Sequence, residues 1–148
     1  MDWAKNVTNI DLGIFRTING NADEMIAVGR CMKAGFPCSR VDTTSGRYDA
    51  IVDVSGTKLL RIQIKGSSTG SISLKGGGRS GQQISREVEQ RTYKYTKEHC
   101  DLIIGVDGKN GDCYIIPIEA TAQWNSTVSF NRIQEYKENW ALLKKMAE

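Results

Sequence analysis

The chain has 148 residues with a formal net charge of +3, 39% apolar and 25% charged residues and 2 prolines, the composition of a folded globule and not of a disordered segment. No apolar run approaches the roughly 18 residues that a membrane span needs, and no signal-peptide pattern opens the chain, where Asp2, Lys5 and Asn6 interrupt the apolar residues; a cytoplasmic, membrane-free protein of one domain over residues 1–148 is expected. Cys31, Cys38, Cys100 and Cys113 form no Cys-x-x-Cys pair and His99 is the single histidine, which argues against zinc and for reduced thiols.

Residues 1–20 are rich in Asn and Thr, lack a clear period and end at the turn dipeptide Asn19-Gly20, so they read as an irregular N-terminal segment. Asn21 followed by Glu24 fits a capping box, and Ala22, Met25, Ile26, Gly29 and Met32 then recur at helical spacing. This predicts a helix over 21–34 that ends at Gly35. Glu24 lies on the flank of its apolar stripe, beside Val28 and Cys31, and the capping role alone accounts for a Glu there. Residues 36–42 predict a short strand that enters the turn at 43–46.

Residues 47–54 and 58–65 predict a hairpin closed by Ser55, Gly56 and Thr57. Leu60, Ile62 and Ile64 alternate with Arg61, Gln63 and Lys65, the period of a half-buried strand. In the first arm Tyr48, Ala50, Val52 and Val54 share one face, and Asp49, Ile51 and Asp53 the other. A three-residue loop sets Asp49 across from Gln63, which gathers a carboxylate, an amide and an ammonium on one side of the sheet. A slip of one residue would separate them. Such a trio suits metal-assisted phosphodiester hydrolysis: a hard divalent ion accepts the oxygens of Asp49 and Gln63, and Lys65 holds the attacking water or the charge that builds on phosphorus. A solvated polar row carries the same residue types and stands beside that reading.

Glycine-rich residues 66–81 hold a strand-like 71–75 together with Lys75 and Arg79, a loop suited to phosphates but without the Gly-Lys-Ser/Thr ending of a nucleotide-binding loop. Residues 82–99 read as a helix. Residues 101–106 and 113–118 predict a hairpin across the turn at 107–112, with Pro117 confining the second strand to an edge. Asn131 and Gln134 repeat the capping-box spacing, and Ile133, Tyr136, Trp140 and Leu143 predict a closing helix over 131–146. From Arg61 to Lys97 eight basic residues face two acidic ones, a local +6 on a chain whose remainder is about −3; this suggests a polyanion-binding surface. The order predicts an α/β domain with a mixed central β-sheet flanked by helices.

Glu24 on a first helix, Gly35-Phe36 at its end, Tyr48-Asp49 leading into an Ile-Gln-Ile-Lys strand over 62–65, and the later Asp-Leu-Ile-Ile and Tyr-Ile-Ile-Pro strands resemble the PD-(D/E)XK nuclease superfamily over residues 21–118. Within it the chain is most similar to group I intron homing endonucleases and to related Holliday junction resolvases. The resemblance implies a PD-(D/E)XK core, Mg2+ (or Mn2+) held by Glu24, Asp49 and Gln63, and Lys65 serving the nucleophile. Gln63 departs from the usual Glu or Asp and removes one negative charge from the site, as it does in some intron-encoded members. The implied partner is double-stranded DNA, cut by a homo-oligomer, dimer or tetramer, because so short a chain cannot cover a long site alone. Lys75, Lys94 and Lys97 are expected on phosphates, and Arg40, Arg79 or Gln82 on base edges. Alternatives are a junction-resolving nuclease and a DNA-binding module without catalysis. Asp53 and Asp101 are rival carboxylates, the first near the turn and the second suited to orienting its strand.

Overall fold

The first helix begins well before the capping box at Asn21. In the computed structural model, which describes residues 1–43, 47–77 and 92–148, helix α1 spans Leu12–Lys33. Its N-cap is Asp11, whose Oδ2 accepts the N–H groups of Gly13 at 3.0 Å and Ile14 at 3.4 Å, satisfying donors that a helix start leaves open. The irregular N-terminal segment therefore ends at residue 11, and Asn21 and Glu24 lie inside the helix. Gly35, at φ +102°, follows the C-cap Ala34 and ends it as expected.

The strands are β1 (Cys38–Arg40), β2 (Ala50–Asp53), β3 (Leu59–Ser67), β4 (Ser71–Ser73), β5 (Lys75–Gly77), β6 (Thr92–Lys94), β7 (Leu102–Asp107), β8 (Cys113–Pro117) and β9 (Thr127–Ser129). Five form a mixed sheet in the order β1-β2-β3-β7-β8, with β3 and β7 parallel and the other neighbours antiparallel. Pro117 lies on the edge strand β8, where its missing N–H costs no ladder bond. The β2–β3 register, Ala50 opposite Ile62 and Asp53 opposite Leu59, is the expected one, and the Val54 N–H to Lys58 O bond of 3.0 Å closes the three-residue turn.

Alternation on the central strands builds two cores. Ala50, Val52, Leu60, Ile62, Ile64, Leu102 and Ile104 pack under Ala27, Val28 and Cys31 of α1 and Leu143 of helix α2 (Ala141–Met146). On the other face Ile103, Tyr114 and Ile116 pack with Ile72, Leu74, Tyr95, Phe130 and Ile133. Tyr48, expected beside Ala50, joins this second core, because β2 starts at Ala50 and its alternation does not reach back to Tyr48.

Two helices expected from sequence take other forms. Thr92–Lys94 pairs antiparallel with Lys75–Gly77 and is therefore a strand, followed directly by the buried Tyr95; residues 82–91 lie outside the described residues. The closing segment splits into a 3-10 stretch, Phe130–Tyr136, and the short α2. Gln134 donates to Phe130 O at 2.9 Å and makes no capping box with Asn131. Glu138 interrupts the helix because it is drawn to β8: its N–H donates to Cys113 O at 2.6 Å, its Oε2 accepts from Cys113 N–H at 2.7 Å, and its φ is +52°. All four cysteines are unpaired thiols. Among the described residues no helix is long and apolar enough to cross a membrane.

Candidate active site

β3 turns Ile62 and Ile64 into the core and so presents Gln63 and Lys65 on the opposite face. The β2–β3 ladder stops at Ala50, one residue short of Asp49. Asp49 extends it differently: its N–H donates to Ile62 O at 2.8 Å, and its side-chain Oδ2 accepts the Ile64 N–H at 2.8 Å. The same Oδ2 accepts Gln63 Nε2 at 2.7 Å. Gln63 is only 8% exposed, so this bond answers a polar group that water scarcely reaches.

Burial pushes the Asp49 carboxyl above its ordinary range, opposed by the Ile64 N–H and by the charges of Lys65 and Arg40. Burial also pulls the Lys65 ammonium down, and the Asp49 charge opposes that shift. Lys65 Nζ lies 5.2 Å from the centre of the Tyr95 ring, within cation–π range. Tyr95 is a site neighbour that the sequence reading missed; the Thr92-Tyr93-Lys94-Tyr95 alternation was the signal, masked by helical spacing of the basic residues around it.

Glu24 approaches from α1. It shares a polar cleft of about 270 Å3 with Asp49, Arg40 and Asn21. Arg40 Nη2 stands 3.4 Å from Glu24 Oε1 and donates to Asn21 Oδ1 at 3.0 Å. Burial raises the Glu24 carboxyl, the Asp49 charge raises it further, and Arg40 opposes both. Two carboxyls raised by burial in a sheltered cleft, one of them further by the charge of the other, with an amide beside them, are a donor set that suits a hard cation. Among the described residues no cluster of three His, Cys, Asp or Glu side chains is placed to hold a metal ion.

The fold thus gathers Glu24, Asp49, Gln63, Lys65 and Arg40. The other expected residues lie apart. Lys75 is exposed on β5, opposite Lys94 on β6. Lys94 Nζ donates to the carbonyls of Thr121, at 2.6 Å, and Trp124. Lys97 pairs with Asp101 and Glu119, each at 3.3 Å. Arg79 and Gln82 lie outside the described residues. Asp53 caps its turn by accepting from Ser55 N–H and Gly56 N–H. Asp101 accepts from Arg61 N–H at 2.8 Å and Arg61 Nε at 3.2 Å, which ties the start of β7 to β3.

A family model described as PD-(D/E)XK endonuclease matches residues 16–142. Among the solved structures that match is one of a bacterial homing endonuclease, I-Ssp6803I, at a TM-score of 0.67 and 18% sequence identity, covering 88% of this chain and 94% of that one. At that identity the likeness is one of fold. No curated protein matches the chain.

Proposed function

Since the chain belongs to the PD-(D/E)XK endonuclease family, we propose that it is a site-specific, Mg2+-dependent endonuclease of the homing type, hydrolysing phosphodiester bonds in double-stranded DNA. One observation carries the reading: Glu24 of α1 and Asp49 beside β2 converge on one cleft, with Gln63 bonded to Asp49 and Lys65 two residues further along β3.

In this reading Glu24 and Asp49 hold Mg2+ (or Mn2+), and Gln63 contributes its amide oxygen as a neutral third donor. When bound, such an ion polarises a phosphoryl oxygen and makes a coordinated water easier to deprotonate. Asp49 is anchored by Ile64 N–H, so its carboxylate keeps a fixed position relative to β3. Lys65, partly desolvated and with its ammonium over the Tyr95 ring, positions the attacking water or meets the charge growing on the phosphate. Replacing a third carboxylate by Gln63 leaves the donors one negative charge short, so ion affinity is lower than in a three-carboxylate site.

DNA is held by phosphate contacts from Lys75 and Lys97 and by base contacts from Arg79 or Gln82, while the Lys94 ammonium stays bound to the carbonyls of Thr121 and Trp124. The chain acts as a homo-oligomer, dimer or tetramer, on a pseudo-symmetric site. The test is to digest a genomic library with the protein and Mg2+, sequence the product ends, and compare a synthetic four-way junction with its linear arms. Cuts at one recurring sequence in linear duplex are expected. Cleavage of the junction alone overturns the homing reading in favour of junction resolution.

A further inference from the structure

Arg40 occupies an unusual place for a residue beside two carboxylates expected to hold an ion. β1 sets it opposite Ala50, and the next residue, Val41, donates its N–H to Asp49 O at 2.9 Å, so the Arg40 backbone is fixed next to the site. Its Nη2 alone reaches Glu24, at 3.4 Å, and the same nitrogen donates to Asn21 at 3.0 Å. Its Nε is buried with no hydrogen-bond partner among the described residues. A permanent arginine–carboxylate pair normally uses two nitrogens, at about 2.7–2.9 Å. This one uses a single long contact and, among the described residues, leaves a desolvated N–H unanswered, an arrangement that disfavours permanence.

We propose that Arg40 is the resident counter-cation of the metal-free site: its guanidinium neutralises Glu24 and Asp49 until a divalent ion takes Glu24 from it. The inference rests on the reading of Glu24, Asp49 and Gln63 as the ion-holding set. Its consequence is that Arg40 competes with the ion. The cleft stays neutralised while empty, and ion affinity is held down by a charge that can be removed without touching a donor oxygen.

The test uses DNA-free protein and Mn2+, with free Mn2+ counted by electron paramagnetic resonance, for wild type, Arg40→Gln, Arg40→Lys and Asp49→Ala. Arg40→Gln is expected to bind Mn2+ about tenfold more tightly than wild type, since a nearby positive charge has gone. Arg40→Lys should stay within about threefold of wild type, because the charge remains. The metal-free melting temperature of Arg40→Gln should fall and recover on adding Mn2+. Binding by Arg40→Gln that is equal to or weaker than wild type overturns the inference and leaves the ion site standing. If neither wild type nor Arg40→Gln binds Mn2+, or Asp49→Ala binds as wild type does, the ion site itself falls and the inference with it. A readout on wild type guards against misfolding of the variants: Mg2+ titration should move the 15Nε resonance of Arg40, and a resonance unchanged at saturation overturns the displacement.

Discussion

A single oxygen of Asp49 receives two hydrogen bonds from β3, one from the Gln63 side chain at 2.7 Å and one from the Ile64 backbone at 2.8 Å. The carboxylate is thereby fixed to the strand that carries Lys65. The spacing of Asp49, Gln63 and Lys65 depends on the sheet register and not on side-chain rotamers alone, and the site is as stiff as the hairpin that builds it.

Lys65→Ala should lower the cleavage rate by about a hundredfold or more while DNA binding stays within a few fold. Single-turnover cleavage and a filter-binding isotherm on the same preparation check this. Loss of both activities together would point to a folding defect.

Gln63→Glu replaces the donor of the Asp49 bond with a second carboxylate in contact with the first. The metal-free protein should lose about 1–3 kcal/mol of stability, and Mn2+ should restore more of it than in wild type, because the added charge strengthens the ion site. Urea unfolding with and without Mn2+ measures both effects.

Gly66 follows Lys65 and faces α1. A Cβ there would lie 1.9 Å from Asp23 Oδ2 and 2.5 Å from Asp23 Cγ, and Asp23 is itself buried, 7% exposed. Gly66→Ala should cost about 2–4 kcal/mol and weaken cleavage by displacing the helix turn that holds Glu24. Asp23→Ala in the same chain should recover at least half of the loss, since the clashing atoms leave. A double-mutant cycle by denaturant unfolding reads the coupling.

Burial alone would raise the Asp101 carboxyl, but hydrogen bonds from the Arg61 side chain and backbone outweigh it and hold the group below its ordinary 3.8. The sign follows: a carboxyl depressed in the folded state stabilises above its unfolded value, and the contribution fades as pH falls through the folded one. Wild type should exceed Asp101→Asn by about 1–3 kcal/mol near neutral pH. That gap should hold flat from pH 8 to 5 and close only below about 4, as measured by urea unfolding across the range.

Lys75 and Lys94 stand opposite each other, yet Lys94 is committed to two backbone carbonyls while Lys75 is exposed. Lys75→Ala should weaken DNA binding and reduce the slope of log affinity against log salt by about 0.9. Lys94→Ala should chiefly lower the melting temperature. The salt series and thermal melts separate the two.

Strict alternation of Leu60, Ile62 and Ile64 and a turn-forming Ser-Gly-Thr leave one workable pairing, so the meeting of Asp49 with Gln63 followed from local pattern. Glu24 did not follow in that way. Its local signal was a capping box, but Asp11 caps α1 instead, and only the family resemblance linked Glu24 to the hairpin. Arg40 beside Glu24 comes from tertiary packing that no spacing reveals, and the alternation ending at Tyr95 signals a strand but not that its ring lies against Lys65. The closing helix was misread for the same reason: the pull of β8 on Glu138 overrides a helical pattern that is sound by itself.

The most direct measurement is DNA cleavage by wild type and Asp49→Ala side by side, with and without Mg2+, both proteins first shown to be folded by circular dichroism. The account predicts discrete cuts by wild type that require Mg2+ and disappear in Asp49→Ala. Mg2+-independent cleavage, or cleavage by Asp49→Ala at the wild-type rate, would contradict it.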